Sequence, residues 1–269
     1  MRIALLVSFV LGAAAALPAQ ADPFSGTVKA TLEQIRKDPE AFKNVKVEFK
    51  VQFASLGRLS NPYFTQFTPQ EFANFHAWSQ EQPIWREQSY KDVFGMLFLS
   101  KSNPSLSKLY ESEIYQCLQL TGVVRNVFQG SPWIEVLEFE PIDGKLDTPT
   151  LTHLYRGEKF IEQRQWQRAV AELSQATIDD LPTHAARTTL KNLGLCSLRM
   201  GETDRAIAQL EAASSLGKDA EVATLLQTAR REPALGVDRV ADAPKVKDSE
   251  RPIWDAFNGA RTTPARPAR

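Results

Sequence analysis

GEKFIEQRQWQRAVAELSQA (Gly157–Ala176) is echoed 37 residues later by GLCSLRMGETDRAIAQLEAA (Gly194–Ala213). Gly157, Ala169, Leu173 and Ala176 correspond to Gly194, Ala206, Leu210 and Ala213. Small residues at these offsets mark a close crossing of two helices in a hairpin, because a larger side chain would hold the backbones apart. The second half of the chain therefore reads as helical repeats built to hold a partner.

The signals around the repeats agree. Gly201 is suited to end a helix in the left-handed conformation, and Thr203 or Asp204 to cap the next. Gly217 and Asp219 do the same for a further helix, Ala220–Arg231, whose Val222, Leu225, Leu226 and Ala229 share one face. That helix covers the last repeat.

The unit resembles the tetratricopeptide repeat: two helices with a small residue and then an aromatic in the first, and Ala, a large apolar residue and Ala in the second. The first copy runs Gly157, Phe160, Ala169, Leu173, Ala176, with Pro182 near its end. The second departs at Ser197, where an aromatic is usual. A spacing of 37 against the family's roughly 34 lengthens the junction near Asp179–Thr183. Two repeats are fewer than such arrays usually need, so the open end of the first is expected to pack on the preceding domain. The resemblance implies that the first helix of each hairpin faces a groove. Glu158 and Glu162, with Lys191 and Arg199, would line it, a mixed charge suited to a peptide or partner loop. An ordinary solvated helix face is the competing reading.

Residues 22–148 read as mostly strand after a helix over Val28–Lys37, with Leu32 and Ile35 on one face. Val45, Val47, Phe49, Val51 and Phe53 alternate with Lys46, Glu48, Lys50 and Gln52, the pattern of a half-buried strand. Val93–Leu99 is apolar on both faces and needs cover on each. Tyr115–Phe128 is a long strand with a bend or bulge at Gly122, and Gln129–Pro132 turns the chain into Trp133–Phe139. A helical piece spans Ser105–Ser112. This order resembles an OB-fold, a small closed barrel. The fold expected is thus multidomain: an OB-like β-barrel over 22–148, tetratricopeptide-like all-α repeats with a capping helix over 149–233, and a disordered tail over 234–269.

Within the barrel, 61–90 is an aromatic-rich insert. Tyr63, Phe64, Phe67, Phe72, Phe75, Trp78, Trp85 and Tyr90 far exceed the chain's 9% aromatic content. Such rings can stack bases or sugars, or they can cover the apolar strand beside them. The second reading accounts for most of them, with Trp78 and Trp85, beside Ser79–Gln82, the ones expected to stay accessible. In the tail, Trp254 and Phe257 form a docking segment, a local cluster on the protein's own surface, or nothing ordered at all.

Met1–Ala21 reads as a secretory signal peptide. A basic start precedes the apolar run Ile3–Leu17, and Ala19-Gln20-Ala21 gives the cleavage site. Export is expected, to the periplasm in a Gram-negative-type envelope, without membrane insertion or lipid anchoring after cleavage. The 248 residues that follow carry 31 basic and 32 acidic side chains, a balance that argues against general nucleic-acid or anionic-membrane binding. Cys117 and Cys196 fall in different domains within apolar stretches and read as buried thiols, although export would permit a disulfide.

No catalytic, cofactor or metal constellation emerges. His76, His153 and His184 lack ligand spacing, and there is no phosphate-cradling glycine loop. Glu138 and Glu140 share a strand face and could form an acid–base pair, but a solvated outer face is the simpler reading. Asp179-Asp180 reads as loop solvation or capping. The expected function is a non-catalytic exported adaptor or scaffold that binds protein partners in the cell envelope. The alternative is a module binding an oligosaccharide, peptidoglycan fragment or nucleic acid on the aromatic face of the barrel.

Overall fold

Alternation in the first long strand sets the architecture. In a computed structural model, which describes residues 26–58, 66–176 and 180–238, Val47, Phe49, Val51 and Phe53 point inward. The elements of the first region are β1 (Val28–Lys29), α1 (Leu32–Lys37), β2 (Lys46–Leu56), β3 (Phe72–Ser79), α2 (Glu87–Lys91), β4 (Phe94–Ser100), α3 (Leu106–Glu111), β5 (Gln116–Phe128) and β6 (Ser131–Lys145). β2 is long enough to serve two neighbours. Lys46–Gln52 pairs with β5, and Val51–Leu56 pairs with β3. The remaining order is β3-β4-β6-β5, with β4 and β6 parallel, so the sheet closes on itself as a five-stranded barrel. Closure leaves the barrel strands without an open edge.

The interior is filled by the inward residues of all five strands, joined by Leu32 and Ile35 from α1 and Leu109 from α3. The expected bulge falls where Gly122 stands. The β5–β6 register shifts there, and a Cβ would lie 2.7 Å from the Glu135 carbonyl oxygen. The helix expected from Val28 starts later. Thr31 and Gln34 form a reciprocal cap, and Val28–Lys29 pairs with β2 instead.

The stretch read as an insert, 61–90, contains β3 and α2. Its Ala73, Phe75 and Ala77 belong to the barrel core. Phe67 stacks on the outward ring of Phe98 at 4.2 Å and packs with Trp133, so β4 gains the second cover that its sequence requires. Tyr63 and Phe64 lie outside the described residues.

The helical region comprises α4 (Thr148–Glu162), α5 (Trp166–Gln175), α6 (Thr183–Arg199), α7 (Thr203–Ser215), α8 (Ala220–Arg231) and α9 (Pro233–Gly236). α4 packs with α5, α6 with α7, and α8 covers α7. The repeated glycines sit at the crossings. A Cβ at Gly157 would come within 2.6 Å of Leu173, and one at Gly194 within 2.6 Å of Leu210. Ser197 is buried and donates its hydroxyl to Gln209 Oε1 at 2.8 Å, joining α6 to α7 by a hydrogen bond where the first hairpin has Phe160. Asp219 caps α8 as expected, whereas α7 begins after Glu202 without a side-chain cap. The region expected to be irregular from 234 holds α9 and continues ordered to Asp238, whose carboxylate bonds Arg164 and the Trp166 indole. Among the described residues, no helix is long and apolar enough to cross a membrane.

One core runs through both regions. Trp78, Ile84, Trp85, Tyr90 and Tyr115 from the barrel side pack with Leu151, Leu154, Ala169 and Leu173 from the helices. The open end of the first hairpin is thus covered by the barrel, and the contact is apolar.

Candidate functional site

Trp78 and Trp85 organise the junction instead of a surface. Both are buried, at 2% and 0% exposure, which corrects the expectation of accessible rings. The polar neighbours Ser79–Gln82 form the turn above them. Trp78 donates its indole N–H to the Tyr90 carbonyl at 3.0 Å and stacks on Tyr115. Trp85 stacks on His184 of α6 and donates to Glu158 Oε1 of α4 at 2.9 Å. Arg86, the next residue, forks onto the same carboxylate with Nε and Nη2 at 2.8 and 2.9 Å. That bond holds the guanidinium yet more firmly protonated than an ordinary arginine.

Above this joint lies a groove of about 750 Å³. Arg86, Gln88 and Ser89 line it from the barrel side, Tyr155, Glu158, Ile161 and Glu162 from α4, Lys191, Asn192 and Leu195 from α6, and Glu221 from α8. Three of the four helical residues expected in a groove, Glu158, Glu162 and Lys191, are brought together there. Lys191 pairs with Glu221 at 2.6 Å, and Glu162 with Lys159 at 2.9 Å, so the rim alternates in sign. Arg199 does not join them. One turn beyond Leu195 on α6, it meets α9 and donates to the Gly236 carbonyl at 3.1 Å. Trp254 and Phe257 lie outside the described residues, as does the segment Met1–Ala21.

Asn192, Leu195, Tyr155 and Arg86 were not singled out from sequence. Asn192 is 9% exposed, and its carboxamide has no hydrogen-bond partner among the described residues. A polar side chain on the apolar face of α6, two residues before Gly194, is the signal that could have found it. Arg86 carries no such signal, because its partner is 72 residues away.

The other candidate groups are spoken for. His153 contacts Glu172 at 2.8 Å across the first hairpin, and His76 contacts the Ser55 hydroxyl at 3.3 Å. Burial depresses the pKa of His76. Glu138 and Glu140 are exposed on β6, opposite Thr121 and Gln119. Asp180 accepts from the Gly144 N–H, and Asp179 lies outside the described residues. Cys117 and Cys196 are buried free thiols, pushed up to about 11 and about 12 by burial. Among the described residues, no group of three His, Cys, Asp or Glu side chains could hold a metal ion. Two further clefts, of about 620 and 290 Å³, lie on the barrel alone. Among the described residues, the composite groove combines the apolar Ile161 and Leu195, the Asn192 amide and paired charges at the rim.

Comparison with protein-family models and with curated proteins returns no match. The functional reading therefore rests on geometry and chemistry.

Proposed function

We propose that the protein is a non-catalytic exported adaptor of the cell envelope, and that its groove holds a segment of a partner protein. The observation that carries this reading is that both halves of the molecule build the groove. Arg86 and Gln88 of the barrel side line it together with Asn192 and Leu195 of α6. The close glycine–leucine crossings support the likeness to tetratricopeptide repeats. Five strands closed around one core, with a helix between the third and fourth, support the likeness to an OB barrel. The small-x-small site at Ala19–Ala21 supports export.

The chemistry suits a peptide. Tyr155, Ile161 and Leu195 offer apolar area for a side-chain anchor. The Asn192 carboxamide presents a donor and an acceptor in one plane, as a main-chain peptide unit requires. Charges already paired on the rim contribute register and discrimination more than affinity.

A photo-crosslinking side chain at Gln88 tests the reading in whole envelopes. Protein adducts are expected from Gln88 and not from the same group at Glu138, which is exposed on β6 and does not line the groove. Adding Leu195→Glu, which puts a charge on the apolar floor, is expected to remove them. Equal adducts from both positions, or adducts indifferent to Leu195→Glu, would sink the idea.

A further inference from the structure

We infer that the groove's occupant in the absence of a partner is the chain's own segment Pro252–Phe257, which makes the C-terminal sequence an internal competitor for partner binding. The inference rests on the reading of the groove as a peptide site.

The first argument is where the described chain ends. Asp238 is held by Arg164, just past the end of α4, and by Trp166 at 2.9 Å. Its N–H donates to the carbonyl of Arg199, the last residue of α6, at 2.8 Å. α4 and α6 are the helices that supply Ile161, Asn192 and Leu195 to the groove. Leu195 to Arg199 is one helical turn, about 6 Å. The remaining chain therefore starts beside one end of the groove.

The second argument is length. Thirteen residues separate Asp238 from Pro252. A chain of that length reaches at most about 45 Å, which spans the groove from its end with slack. Tethering at this range gives an effective concentration of millimolar order, enough for a weak segment to compete.

The third is chemistry. Beyond Asp238, the aromatic residues are Trp254 and Phe257, next to Ile253. Tyr155, Ile161 and Leu195 line the groove, and the Asn192 amide beside them offers a donor and an acceptor to a main chain. Arg251 and Asp255 alternate in sign along the segment as Glu162, Lys159, Lys191 and Glu221 do along the rim. An aromatic anchor in such a site outweighs the surrounding polar contacts.

The test uses the purified full chain and a fluorescein-labelled peptide of residues 249–259, read by anisotropy. The full chain carrying Trp254→Ala and Phe257→Ala is expected to bind the peptide at least tenfold more tightly than the unaltered chain, whose groove is filled. Asn192→Ala in that background is expected to weaken binding several-fold, and Leu195→Glu to abolish it. Equal binding to the altered and unaltered chains, binding to neither, or binding that survives both groove substitutions overturns the inference. The adaptor reading is judged separately by the Gln88 adducts. If those persist while the peptide binds neither chain, the groove holds a partner but not the tail.

Discussion

His184 shows how one side chain can report on a junction. It is 5% exposed and stacked on Trp85. Burial, helped by the nearby Arg187 and only partly offset by the Gln82 carbonyl, lowers its pKa from 6.5 to about 4. Between those values the unfolded chain binds a proton that the folded chain refuses. Stability must therefore fall as pH drops through about 6.5, and the loss is complete below about 4. At about 1.4 kcal/mol per unit, the loss from this group reaches about 3 kcal/mol. Urea midpoints at pH 7 and pH 4.5 measure it. His184→Phe, which keeps the stacked ring, is expected to lose about 2 to 3 kcal/mol less than the natural chain over that interval. Identical losses would remove His184 from the account. At this scale the sequence was a partial guide. Buried thiols at 117 and 196 followed from their apolar neighbours, and Glu158, Glu162 and Lys191 were singled out only through the resemblance to tetratricopeptide repeats. Burial of Trp78 and Trp85 did not, because residues some seventy positions downstream provide it.

The hairpins were the most legible elements, since their crossings are written in residue size. At Gly194 the added methyl of alanine would meet Leu210 Cγ at 2.6 Å and the Ala206 carbonyl oxygen at 3.4 Å. Crowding of that kind costs about 1–3 kcal/mol, and the better helix propensity of alanine returns about 1. Gly194→Ala is thus expected to lower unfolding free energy by about 1–2 kcal/mol in urea titrations. Combined with Leu210→Ala, it should cost less than the sum of the two, because the second change empties the space that the first needs. Strict additivity, or a stabilised Gly194→Ala, would refute the close approach. The least legible element was β3. Its inward residues alternate as Ala73, Phe75 and Ala77, small beside large, while its outward Phe72 and Trp78 are equally apolar. Asn74 and His76 share that outward face, so the alternation is confined to Ala73–Ala77, and with an aromatic ring at each end the strand reads as an aromatic insert. The first helix was legible in its buried Leu32 and Ile35 and in its end at Lys37, but not in its start. Val28, β-branched, pairs with Val47 as a short strand, and the reciprocal cap at Thr31 and Gln34 starts the helix later.

At the scale of the molecule, the shared apolar core decides how the parts behave. Trp78, Ile84, Trp85 and Tyr115 share one buried cluster with Leu151, Leu154, Ala169 and Leu173 of the helices. A chain divided there would expose them together. Unfolding is expected to be a single transition, with tryptophan fluorescence, weighted to the barrel side by Trp78, Trp85 and Trp133, and far-ultraviolet circular dichroism, weighted to the helices, coinciding in urea. Two separated transitions would mean that the halves stand alone. The carboxylate of Glu158 closes this joint, taking three N–H groups from Trp85 and Arg86. A glutamine there would turn a donor toward a donor, and an aspartate would fall one methylene short. Positions 85, 86 and 158 therefore act as one unit: replacing any one leaves a donor or acceptor of the others without its partner, so the joint and the groove wall it carries stand or fall together.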